Sequence, residues 1–159
     1  VNKVDNNDTV VTGKAESGST VTVKSGKTVL GTAKATSKGA FSTKIAVQKA
    51  GTKLVITAKD SAGNVSTSVT VTVSDVVAPS KPTVDKVDDN DTKVTGKAEA
   101  NSTVNVKVGS KSLGAATADS KGNYSVKIKV QKKGTTITVT AKDKAGNSSQ
   151  AATFKVVKH

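Results

Sequence analysis

Short runs along the chain alternate apolar residues with Thr, Lys and Ser. The clearest are Val21/Val23; Phe41, Ile45, Val47; Leu54, Ile56, Ala58; and Val69, Val71, Val73. A period of two puts one face of a strand against a core and leaves the other wet. No segment sustains the 3.6-residue period of an amphipathic helix. Turn-forming clusters separate the runs: Asn6-Asn7-Asp8, Ser25-Gly26-Lys27, Ser37-Lys38-Gly39, Lys49-Ala50-Gly51 and Ala62-Gly63-Asn64. Asx side chains close turns on their own backbone and Gly supplies positive φ, so these are the expected bends. With residues 1–4 counted as a further strand, about seven strands are predicted in 76 residues, as in an antiparallel β-sandwich.

The pattern then repeats. Residues 4–16, VDNNDTVVTGKAE, return 83 positions later as VDDNDTKVTGKAE, and residues 56–64, ITAKDSAGN, return as VTAKDKAGN. Over residues 1–76 and 84–159, 44 of 76 aligned pairs are identical without a gap, which marks a duplication. The second copy carries the same alternation, at Val104/Val106; Tyr124, Val126, Ile128, Val130; Ile137, Val139, Ala141; and Ala152, Phe154, Val156. Both prolines, Pro79 and Pro82, fall between the copies, so residues 77–83 read as a short, semi-rigid linker. The expected division is module 1 at 1–76, linker at 77–83 and module 2 at 84–159. The first copy starts without its own version of the proline segment. With no initiator Met, signal peptide or lipidation motif, the sequence reads as a piece of a longer protein.

Composition narrows the chemistry. Cys, Met and Trp are each zero, and the one histidine, His159, is the last residue. Thiol nucleophiles, thiolate or histidine metal sites, disulfides and a rigid Ser/His/Asp relay are therefore not expected, and no enzyme activity is predicted. The net charge is +13, and all 25 basic residues are lysine. Nucleic-acid readers rely on Arg forks and aromatic platforms, and here aromatic residues are 2% of the chain, so no nucleic-acid partner is expected. No run approaches the roughly 18 apolar residues of a membrane span, so no membrane insertion is expected either.

The segments V-x-x-V-x-x-x-x-T-x-V-x-G-K-A, G/N-S-T-V-x-V, L-G, K-G-x-F/Y-S and T-A-K-D-x-A-G-N, in that order in both copies, resemble bacterial immunoglobulin-like repeats. The resemblance implies an all-β chain of two tandem Ig-like antiparallel β-sandwiches, about seven strands each. It implies an extracellular setting, secreted or wall-anchored in Gram-positive bacteria, and a stalk, spacer or adhesive arm. The sequence departs from antibody-type domains in lacking the Cys pair and core Trp.

Four candidate sites follow. Asp5, Asn7 and Asp8, repeated as Asp88, Asn90 and Asp91, together with Asp60 and Asp143, offer oxygen ligands at short spacing that suit Ca²⁺; otherwise they are turn-closing Asx residues. No EF-hand pattern accompanies them, and no cofactor is predicted. Lys107, Lys111, Lys121, Lys127, Lys129, Lys132 and Lys133 offer a surface for an anionic wall polymer such as teichoic acid, or else a solvated, aggregation-resistant face. Lys14 beside Glu16 is a candidate for a Lys–Asn or Lys–Asp isopeptide bond, but alternation places both on the wet side. Sugar stacking would need an exposed aromatic, and Tyr124, aligned with Phe41, reads as core.

The function expected is a non-catalytic stalk or spacer that acts by distance. The alternatives are a wall-binding module that targets an attached enzyme, and a protein-binding adhesin arm that pairs through a sheet edge. The expected partner is a bacterial wall polymer or a host or bacterial surface protein. The fragment alone is expected to be monomeric.

Overall fold

A computed structural model describes residues 1–159, which divide into two compact units, Val1–Val77 and Ala78–His159. The first contains β1 (Val10–Lys14), β2 (Thr20–Ser25), β3 (Thr28–Lys34), β4 (Ala40–Lys44), β5 (Lys53–Lys59) and β6 (Val69–Thr72). The second contains β7 (Lys93–Lys97), β8 (Thr103–Val108), β9 (Lys111–Thr117), β10 (Asn123–Lys127), β11 (Thr136–Lys142) and β12 (Ala152–Lys155). No helix is long and apolar enough to cross a membrane.

Within each unit, a two-stranded sheet faces a four-stranded one. The pairs are β1–β4 and β7–β10; the larger sheets run β3-β2-β5-β6 and β9-β8-β11-β12, with every pairing antiparallel. Register is conserved between the units: Val11 lies opposite Thr43 as Val94 lies opposite Val126. Each β2–β3 type hairpin carries a bulge, after Val23 and after Val106.

Six regular strands form in each unit where about seven were expected. The early segment is bonded but too short to be a strand. Asn2 donates its amide to the Thr12 carbonyl at 2.9 Å, and Asp5 makes a parallel bridge with Ser74; Asp85 to Thr95 and Asp88 with Val157 repeat this. The segment thus leaves the small sheet and reaches the strand end beyond the large one.

The alternating positions build the core. Val11 and Phe41 from the small sheet meet Val21, Val23, Leu54 and Ile56 from the large one. Val94, Tyr124 and Val126 meet Val104, Val106, Ile137 and Val139 likewise. Val47 and Val130 depart from the expected pattern, being 55% and 53% exposed. The chain has left β4 and β10 by then, so a period of two no longer decides which way a side chain points. Val69, expected in the core, is 48% exposed, whereas its counterpart Ala152 is 5% exposed.

Residues 78–83, expected as a linker, lie within the second unit, and both Pro79 and Pro82 are buried. The reason is the backbone bonding of Thr83. It donates its amide to the Lys97 carbonyl at 2.8 Å, and its hydroxyl accepts the Lys97 amide at 2.9 Å. Proline suits an extended segment whose own amides are not called on to pair.

One core position is chemically mismatched. Thr43 is fully buried and its hydroxyl has no hydrogen-bond partner, whereas the second unit has Val126 at the equivalent place. An unsatisfied buried hydroxyl costs about 1–3 kcal/mol. Thr43→Val is therefore expected to stabilise the first unit by about 1–2 kcal/mol, measured as a rise in its denaturant midpoint at unchanged slope.

Candidate functional site

The acidic turns are built by their own backbone. The Asp5 amide donates to Asp8 Oδ2 at 2.8 Å while the Asp8 amide returns to the Asp5 carbonyl at 3.0 Å; Asp88 and Asp91 do the same at 2.7 and 3.1 Å. A carboxylate oxygen of each leading Asp meets a lysine, Lys3 at 2.8 Å from Asp5 and Lys86 at 3.2 Å from Asp88. Asn7 and Asn90 are exposed at the turn tips. No group of three or more His, Cys, Asp or Glu residues is placed to hold a metal ion.

Asp60 and Asp143 close the second kind of turn. Asp60 Oδ1 accepts the Asn64 amide and Oδ2 accepts the Asn64 side chain, each at 2.8 Å, and Asp143 holds Asn147 at the same distances. The Asn64 bonds hold the Asp60 carboxyl below its ordinary range. For Asp143, desolvation works the other way, but the bonds from Asn147 together with those from the Gly146 and Ala145 amides outweigh it, and the carboxyl is also lowered. Asp119, which the sequence did not single out, is lowered in the same manner by Asn123. These carboxylates are occupied in turn closure. Titration with Ca²⁺, and then with EDTA, is expected to leave the melting midpoint unchanged, as read by circular dichroism. A calcium-dependent rise would show that the turns rearrange around the ion.

All seven candidate lysines are exposed. Lys107 and Lys111 flank the β8–β9 turn, and Lys127 ends β10 opposite Lys93. The β9 backbone at Gly114 packs against the Lys127 carbonyl, which brings the middle of β9 close to the end of β10. Lys129, Lys132 and Lys133 follow in the next loop. Lys121 stands apart, in the turn before the start of β10, whereas Lys127 is the last residue of that strand. Lys14 and Glu16 are both exposed, in keeping with two solvated charges.

Three features escaped the sequence reading. The first is a bond made by Tyr124: the residue is in the core as expected, at 4% exposed, but its hydroxyl donates to the Thr83 carbonyl at 2.7 Å and ties the proline segment to the sheet. Ser19 and Ser102, 2% and 1% exposed, donate to the carbonyls of Glu16 and Glu99 at 2.7 and 2.6 Å and fix the turn before β2 and before β8. The third is a half-open cleft of ≈ 430 Å³ in the first unit, with Phe41, Ile56 and Ala58 at its base and Lys14, Val65 and Val69 at its rims. A repeated Ser and a Tyr/Phe exchange between copies were the available signals for the first two. The cleft left no motif.

The sequence model of the family described as bacterial Ig domain matches residues 1–75 and again 78–158. Over 159 residues, or 99% of its length, the chain is 40% identical to a cell wall-associated protease of Bacillus subtilis (strain 168), of which it spans 18%. In fold it is similar to a solved segment of two fibronectin type-III domains from chicken tenascin (TM-score 0.52, 15% identity, covering 98% of this chain and 95% of that one). It is also similar to the solved Rst D1-D2 structure (TM-score 0.59, 12% identity, covering 99% and 94%). With its two all-β sandwiches matched almost end to end, the chain belongs to the bacterial Ig domain family, as two tandem members.

Proposed function

We propose that the chain is a non-catalytic spacer of an extracellular, wall-associated bacterial protein. The observation that carries this reading is the duplication itself: two sandwiches share 44 of 76 residues and keep the same register, while the residues with catalytic potential stay scattered or engaged in turns. A spacer needs repeated, self-contained units and no convergent site. The relationship to a wall-associated protease supports the location; the protease activity of that relative is not carried over, since the chain matches a small share of it.

A second reading has its own support. The exposed lysines near the end of β10, on a chain of net charge +13, favour attraction of an anionic wall polymer. Adsorption to isolated Gram-positive walls separates the two. The spacer reading expects no retention at either about 50 or about 300 mM salt. Retention at low salt that is lost at high salt, and lost again when teichoic acid is stripped, would replace it with wall targeting. Salt-tolerant retention on a defined surface protein would instead favour an adhesin arm.

A further inference from the structure

All 12 acidic residues lie in turns and loops, and none falls within β1 to β12. This shapes the outer face of each four-stranded sheet. Val21, Val23, Leu54 and Ile56 point into the core, so Thr20, Thr22, Lys24, Val55, Thr57 and Lys59 of the same strands point out. Register sets Thr32, Thr22 and Thr57 side by side across β3, β2 and β5, with Lys34, Thr20 and Lys59 in the next row. In the second unit, Lys107, Thr138 and Thr153 form one row across β8, β11 and β12, and Asn105 lies beside Thr140.

Neither the lysines nor the hydroxyls of this face are satisfied by the chain. Lys59 faces Thr20, Lys24 faces Val55, Lys142 faces Thr103 and Lys155 faces Thr136. The opposite-charge neighbours that stabilise many sheet faces are missing, and the ion pairs of the chain lie at Asp5 and Asp88. The hydroxyls of Thr20, Thr22, Thr32 and Thr57 bond to no other group of the chain. Divergence between the copies keeps the same character. New acids arise in the second at Asp85, Asp89 and Asp119, where the first has Asn2, Asn6 and Thr36, all outside the strands. On β2, β5 and their repeats, the outward residues that differ are Thr22 and Asn105, Val55 and Thr138, and Lys53 and Thr136, none of them acidic.

We infer that the outer face of each four-stranded sheet binds a carboxylate-bearing polysaccharide laid across the strands. The unpaired lysines meet its carboxylates, and the threonine hydroxyls exchange hydrogen bonds with sugar hydroxyls, so contact needs no aromatic platform. Neighbouring strands present these hydroxyls about 4.8 Å apart, close to the length of one pyranose unit in an extended glycan. A polyanion without hydroxyls would engage the lysines alone.

The test adds polygalacturonate to the full chain and, at the same salt, polyglutamate of matched charge and length, which has no hydroxyls. Both probes are soluble, so the outcome is independent of adsorption to walls. Amide resonances of Thr22, Thr57, Asn105 and Thr140 are expected to shift with polygalacturonate, which should bind about fivefold or more tighter than polyglutamate. Thr138→Val gives the second unit the residue that the first carries as Val55, a change the fold already accommodates. Combined with Thr140→Val, it is expected to weaken polygalacturonate binding about fivefold or more, read from the resonances of the second unit, and to leave polyglutamate binding unchanged. The reverse change, Val55→Thr, should strengthen polygalacturonate binding by the first unit. Equal affinity for the two polymers, or unchanged binding by the valine variant, would overturn the inference. Shifts confined to Lys127, Lys129, Lys132 and Lys133 would also overturn it, by assigning the attraction to charge near the end of β10.

Discussion

Replacing Phe41 with Ala is expected to destabilise the first unit by about 3–5 kcal/mol, the usual cost of emptying an aromatic site in a core. The ring is 4% exposed and lies on the backbone of β1, where a Cβ built on Gly13 would come within 2.9 Å of it. It links the small sheet to Val21 and Ile56 of the large one, in a unit with no disulfide and no other aromatic residue. A unit of this size shifts by about 4–8 °C per kcal/mol, so the melting midpoint of the first unit should fall by more than about 12 °C. With no Trp, and the only Tyr in the second unit, the loss is best read from the methyl resonances of Val11, Val21 and Leu54 during thermal unfolding. A midpoint within a few degrees of the parent would show that Phe41 is not what holds the sheets together.

Raising the pH should act on the second unit. Burial, and secondarily the charge of Asp85, pushes the Tyr124 hydroxyl up to about 12. Once unfolded, the same group titrates near 10. Because the folded value is the higher one, the stabilisation from the neutral hydroxyl is fully present below about pH 10 and disappears as the pH rises through about 12. A difference of that size is worth at most about 2–3 kcal/mol, and less where solvent reaches the hydroxyl. The expected result is an alkaline loss of stability in the second unit that coincides with tyrosinate absorbance, which reports this one residue. Tyr124→Phe should remove that alkaline step while costing about 1 kcal/mol at neutral pH for the bond to Thr83. An unchanged step in the variant would show that the Tyr124 hydroxyl is not its cause.

Much of this architecture was legible from residue order. Alternation found Val21, Val23, Leu54, Ile56 and their repeats because each strand is wet on one face and dry on the other. It failed at Val47 and Val130, where irregular chain keeps no fixed period. It failed at Val69 for a different reason: a strand pattern says which face points to the core, but not how far the core extends along a four-residue strand at the edge of its sheet. Residues 78–83 looked like a linker because proline usually marks a break, yet their placement is decided by Thr83 bonding at Lys97, a contact between positions 14 apart in sequence. The acidic turns were readable as turns. That their oxygens were already committed depended on which amide each one faced, and no spacing rule supplies that. The seven lysines are all exposed, and Lys121 lies in the turn before β10 while Lys127 ends that strand, a separation set by where the turn falls.

The shared register of the small sheets bears on how the chain folds. Val11 pairs with Thr43, and Val94 with Val126, so β1 could also align with β10 without moving any side chain to the wrong face. Such an exchange places Val10 opposite Lys127, so Lys93 no longer faces it, and charge does not oppose the exchange. What favours the correct partner is proximity along the chain: Val11 is 32 positions from Thr43 but 115 from Val126. Loop-closure entropy turns that difference into about 1 kcal/mol. A chain made of near-copies therefore discriminates weakly between its own strands while it folds, and synthesis from the N-terminus, which completes β4 before β10 exists, would supply the order that the sequence alone does not.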